Sequence, residues 1–142
     1  MRRQSESHWV PWMAEQMFDL AADIERYPEF LPHWPHATIR SREDNVLYVQ
    51  QEIDLGLRRL QFDSRAVLQR PAHLHIDSAT GPFRHLSVDW RFTPEREGCR
   101  TALTVEVEMR SLLLEAMAGK LTERLTRDVL ARFRERAAAL YG

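Results

Sequence analysis

The groups in this chain able to do chemistry are six histidines, a single cysteine and carboxylates spread along its length. His73 and His75 stand two apart, a spacing that puts both rings on one face of a strand, where a metal ion could bridge them. His33 and His36 form a second close pair. No Glu or Cys completes either pair at a familiar ligand spacing, and the face His73 shares with Asp77 is the one expected to meet water. The expectation is no metal. Cys99 has no partner for a disulfide and no second thiol for a cluster, which fits a reducing compartment. Acid–base or nucleophilic catalysis needs titratable groups turned into a cavity. The positions expected to point inward hold almost none, and no Ser/His/Asp set, paired carboxylates or phosphate-binding loop is present. Asp54, Asp89 and Glu106 would reverse this if they faced a pocket with raised pKa. His85 reads as a strand-end residue, not a base. The chain reads as a binding protein with no catalytic cofactor.

The elements that would position any site follow from period. The last quarter, Ser111 to Tyr141, carries Leu114, Met117, Leu121, Leu125, Val129, Phe133, Ala137 and Leu140 at spacings of three and four, one stripe of a long helix. Charged residues back it, Gly119 is its only weak point, and about thirty residues at 1.5 Å each run roughly 45 Å. Such a stripe needs a long apolar surface, and the preceding chain supplies strands. Ser5 to Val10 is a short strand ended by Pro11. Met13 to Ala22 is a helix with Met13, Met17, Leu20 and Ala21 on one face. Pro28 and Pro32 limit Asp23 to Pro32 to a second short helix or helical turn, with Tyr27, Phe30 and Leu31 turned inward. From Ala37 the period becomes two. The inward sets are Leu47, Val49, Gln51, Ile53 and Leu55, then Leu60, Phe62, Ser64, Ala66 and Leu68, then Leu74 and Ile76. Leu86, Val88, Trp90 and Phe92 follow, and Leu103, Val105, Val107 and Met109 close the series. Clean alternation means antiparallel strands with one wet and one dry face. The plan is α+β: a strand, two short helices, six more strands, and a long helix across a curved sheet.

Composition bounds the rest. A chain of 142 residues, 44% hydrophobic, makes one domain, residues 1–142, with material for a core. A net charge of -1 gives no pull toward nucleic acid, so no direct DNA binding is expected. No apolar run follows Arg2-Arg3-Gln4, so no signal peptide is visible, and no stretch of about 18 apolar residues could span a bilayer. The expectation is a cytoplasmic protein that meets the inner face of the cytoplasmic membrane only peripherally.

The order of elements resembles the helix-grip fold of the START and polyketide-cyclase superfamily. Asp23-Ile24-Glu25-Arg26-Tyr27-Pro28-Glu29-Phe30-Leu31-Pro32, after Ala14-Glu15-Gln16-Met17-Phe18-Asp19-Leu20, is similar to the coenzyme Q-binding START-domain family, which includes the ribosome-association toxins called RatA. Phe62-Asp63-Ser64-Arg65, Gly81-Pro82-Phe83-Arg84 and Trp90-Arg91-Phe92 extend the likeness over nearly the whole chain. The resemblance implies a cavity between sheet and long helix that holds ubiquinone or a similar polyprenyl lipid, serving respiratory or quinone-biosynthesis proteins. The wall would draw on Leu31, Ile53, Phe62 and Phe83, on Trp90, Leu103 and Val105, and on Met109, Met117, Leu121 and Leu125. Phe30 would join them. Polar orientation would come from Gln51 and Ser64, with Tyr27 and Trp34 near a mouth shared with the first turns of the long helix. Two other classes follow from the same likeness: association with the large ribosomal subunit, with Arg124, Arg127, Arg132, Arg134, Arg136 and Lys120 as a basic bias, and aromatase/cyclase chemistry.

Overall fold

The computed structural model describes residues 2–56 and 58–142, and the side chains of Lys120 and Leu121 lie outside that description. Seven strands form one antiparallel sheet in the order β1-β7-β6-β5-β4-β3-β2. They are β1 (Arg2–Val10), β2 (His36–Glu43), β3 (Val46–Asp54), β4 (Arg59–Gln69), β5 (His73–Ser78), β6 (Phe83–Glu95) and β7 (Gly98–Met109). Between β1 and β2 come helix α1 (Ala14–Ala22) and a 3₁₀ segment (Ile24–Glu29); helix α2 (Leu112–Tyr141) ends the chain. The α+β plan expected from the alternation is the fold observed, and β1 starts three residues earlier than its apolar pattern reaches.

Local chemistry sets the corners. The β6–β7 hairpin closes through Arg96 and Glu97, both at positive φ (47° and 65°), the two-residue turn whose twist matches the flanking strands. Gly98 then lets β1 approach: a Cβ there would lie 2.0 Å from the Val10 carbonyl oxygen. Bulges between Ile39 and Ser41 and between Phe83 and His85 bend the sheet. At α1 the Gln16 side chain accepts the Met13 N–H at 2.9 Å, satisfying one of the helix's unpaired donors. Met13 is therefore a capping residue, 48% exposed, not a member of the inward face.

The stripe of α2 differs from the one its large residues suggest. Buried on this helix are Leu114, Ala118, Thr122, Thr126, Leu130, Phe133 and Ala137. Met117 and Leu140 are exposed, at 46% and 53%, and Leu125 and Val129 are only half-buried. The expected and observed lines share Leu114, Phe133 and Ala137 and part by one residue between them. The cause is the line of small side chains: Ala118, Thr122 and Thr126 face the sheet, and the larger Met117 and Leu125 flank it. Two apolar clusters result. One joins α1, the 3₁₀ segment and the C-terminal half of α2 through Phe18, Tyr27, Trp90, Phe92 and Phe133. The other gathers Ile53, Leu60, Phe62, Phe83, Met109 and Leu114 under the first turns of α2.

Candidate functional site

A cavity of about 120 Å³ lies where the two clusters meet, between sheet and α2, and with its opening to solvent the unfilled space amounts to about 1060 Å³. Its wall is almost wholly apolar. The strands contribute Ile53, Phe62, Phe83, Trp90, Leu103, Val105 and Met109. The 3₁₀ corner adds Tyr27, Leu31 and Trp34, and the helix adds Met117 and Leu125. Sequence reasoning names all of these, together with Gln51, which also faces the cavity. It misses Ala118, Thr122 and Thr126, whose small side chains leave the space; their only sequence signal is the run of small residues four apart. Leu121 falls outside the described side chains.

Two expected wall residues sit elsewhere. Phe30 lies outside the cavity, its ring 5.1 Å from that of Phe133 and 6.1 Å from that of Tyr27, with the Arg136 guanidinium over it at 5.2 Å. Ser64 is buried behind the wall, where its hydroxyl donates to the Val49 carbonyl at 3.1 Å and accepts from Gln51 Nε2 at 2.9 Å. Ser64 is thus an anchor for Gln51. The Trp34 indole N–H donates to Gln51 Oε1 at 2.9 Å, so the amide is held from both ends. One N–H and one lone pair of Gln51 remain to serve a ligand.

Other polar groups of the wall are spoken for. The Tyr27 hydroxyl donates to the Ala21 carbonyl. Burial, and then the charge of Asp23, push its pKa far above the ordinary tyrosine range, so it stays a neutral phenol. Thr122 and Thr126 donate back to the carbonyls of Ala118 and Thr122, at 2.5 and 2.7 Å, leaving their oxygens free to accept. Trp90 is the exception. It is 1% exposed, stacks on Phe92 with ring centroids 6.0 Å apart, lies tilted against Phe133 at 4.6 Å, and its indole N–H has no acceptor among the described residues. Met117 is the lining residue most open to solvent, so the cavity opens at the first turns of α2. Leu112 and Leu113, 90% and 68% exposed, project from the same turns.

No Asp, Glu, His, Lys or Arg lines the cavity among the described residues. Asp89 and Glu106 stand on the opposite face, Asp89 beside His73 and His75, Glu106 beside Arg3. Asp54 turns away too, accepting the Gly56 N–H at 2.8 Å.

A seven-stranded curved sheet gripping a long C-terminal helix over an apolar cavity defines the helix-grip, START-like class. The chain belongs to the polyketide cyclase / dehydrase and lipid transport family, whose model matches residues 10–134. It is 30% identical over 143 residues to a Vibrio cholerae protein named ribosome association toxin RatA, covering 100% of this chain and 99% of that one. It is 26% identical over 147 residues to a Xenopus laevis protein named mitochondrial coenzyme Q-binding protein COQ10 homolog B, covering 97% of this chain and 59% of that one. Among solved structures, the Zhui aromatase/cyclase from Streptomyces sp. R1128 superposes with a TM-score of 0.83 at 18% identity, over 96% of this chain and 93% of that chain. That likeness is one of fold. No helix among the described residues is long and apolar enough to cross a membrane.

Proposed function

We propose that the cavity binds a polyprenyl quinone such as ubiquinone, or a lipid of the same build, and carries it without chemical change. The observation that carries this reading is Trp90, a buried N–H donor in the wall of an apolar cavity with no acceptor among the described residues. An unpaired buried donor costs about 1–3 kcal/mol, and a ring carbonyl placed against it would remove that cost. Each isoprenoid methylene taken from water contributes about 0.8 kcal/mol, but a bilayer hides the same groups equally well. Discrimination against the bilayer therefore falls to the head group, met by Trp90, by the free valences of Gln51, and by the oxygens of Thr122 and Thr126, which suit a reduced ring. An apolar cavity of about 150 Å³ takes up benzene; the enclosed 120 Å³ is of that order, and a substituted ring would also draw on the space that continues toward the opening. The tail would run out past Met117, where Leu112 and Leu113 would enter the surface of the bilayer that supplies it. Among the described residues no Asp, Glu, His, Lys or Arg lines the wall and Tyr27 is held as a neutral phenol, which argues for carriage over catalysis.

Organic extraction of freshly purified protein, followed by mass spectrometry, tests the reading. A quinone recovered at about one per chain is the expected result, with re-binding when the emptied protein is mixed with quinone-loaded vesicles. Recovery of none, and no uptake from vesicles, would overturn it. A second reading, association with the large ribosomal subunit, is supported by the full-length similarity to RatA and by Arg124, Arg127 and Arg134, which are exposed on α2. Arg136 and Arg132 serve it less, being paired with Glu29 and Glu135. Sedimentation with purified large subunits, in parallel with vesicles, separates the two.

A further inference from the structure

We infer that His73, His75 and Asp89 form a site for one divalent transition-metal ion of the zinc class on the outer face of the sheet, opposite the cavity. His73 and His75 alternate on β5 with the buried Leu74 and Ile76, so both rings leave the same face. The β5–β6 register sets Asp89 directly across from His75, supplying the third ligand that the spacing along β5 alone lacks. Asp89 Oδ1 lies 2.5 Å from His73 Nε2 and 2.9 Å from His75 Nδ1, and the three donor atoms lie within 4.8 Å of one another. Zinc at about 2.0–2.2 Å from each ligand sets tetrahedral donors roughly 3.3 Å apart. Reaching that spacing means parting Asp89 Oδ1 from each ring nitrogen by under about 1 Å.

The surroundings hold His73 and Asp89 by their other atoms and set a carboxylate near the far nitrogen of His75. Gln69 Oε1 lies 3.2 Å from His73 Nδ1, and Asp77 Oδ2 lies 3.7 Å from His75 Nε2. The His73 imidazole can thus keep its proton on the far nitrogen, bonded to Gln69, and turn a lone pair to the ion, while the Asp77 charge favours the same tautomer of His75 from 3.7 Å. Arg91 Nε takes the second oxygen of Asp89 at 3.1 Å, which leaves Oδ1 as the single carboxylate ligand. Outer contacts of this kind fix tautomer and ring orientation in metal sites. The side chains are accessible, at 22%, 34% and 19% exposure, and a shallow depression bordered by Arg3, Ser87 and Glu106 adjoins them, leaving a fourth position for water. Two nitrogens and one oxygen suit zinc, cobalt, nickel or copper and disfavour calcium and magnesium.

The test uses untagged full-length protein titrated with Co(II), read by its visible absorption, with Zn²⁺ affinity measured by calorimetry. One equivalent should bind. His73→Ala, His75→Ala and Asp89→Asn should each weaken Zn²⁺ affinity by about tenfold or more with an unchanged circular-dichroism spectrum. The pair His33→Ala/His36→Ala should leave it unchanged. Absence of saturable binding at one equivalent, retention of affinity in the three folded variants, or loss in the His33/His36 control would overturn the assignment.

Discussion

Trp90 combines a large apolar ring with a donor that none of the described residues satisfies. The two properties separate on mutation. In Trp90→Phe the ring area shrinks, which costs stability, but the desolvated N–H disappears, which restores it; the two effects are each of order 1–3 kcal/mol and opposite in sign. The expected outcome is a Tm close to that of the parent in thermal unfolding. Quinone affinity, measured by titration from detergent or vesicles, should fall about tenfold, the equivalent of one lost hydrogen bond of about 1.4 kcal/mol. A large loss of Tm with unchanged affinity would assign Trp90 to packing alone. Gln51 differs from Trp90 because Trp34 and Ser64 already fix it, so its substitution would disturb structure and binding together.

At the scale of elements, α2 owes the cavity to its small residues. Thr122→Leu adds apolar volume where the wall is open and removes a hydroxyl that bonds only within the helix. Each added methylene that becomes buried contributes about 0.8 kcal/mol. Thermal unfolding should show an unchanged or higher Tm, and extraction should recover less than a tenth of the parent's ligand. The strands are legible in the sequence because burial alternates with period two: Leu60, Phe62, Ser64 and Ala66 lie inside while Gln61, Asp63 and Arg65 lie outside. The helix is legible as an element, but its facing line is not. Hydrophobicity alone selects Met117 and Leu125 over Ala118 and Thr126, whereas a wall around a hollow favours the small residues. The histidine cluster is hidden for a related reason: Asp89 is 14 residues from His75 in sequence and meets it only through the β5–β6 register.

Across the whole molecule, the far end of α2 is tied to the 3₁₀ corner. Arg136 Nη2 donates to Glu29 Oε1 at 2.8 Å, 107 residues away along the chain. That hydrogen bond, ahead of the charges of Arg26 and Arg136, holds the Glu29 carboxyl below the usual glutamate range. A carboxyl with a lowered folded-state pKa contributes stability above its unfolded pKa, and the contribution is lost as pH falls through the folded value. Arg136→Ala should therefore be less stable than the parent at pH 7, and denaturant unfolding should show the gap closing below about pH 4.3. A gap independent of pH would mean that the guanidinium acts only by covering Phe30.

The opposite end of the same helix is tied by a different residue. The guanidinium of Arg2 lies against Gly119, where a Cβ would meet Nη1 at 3.0 Å, and pairs with Glu115 at 3.6 Å. The start of the chain is thereby strapped to the turns that frame the cavity's opening, while Tyr141 docks on Gln16 at the other pole. A purification handle fused ahead of Arg2 would emerge at the doorway, crowd incoming cargo and tug on its frame. Fused after Gly142, it would trail from the pole where Tyr141 meets Gln16 and leave uptake undisturbed.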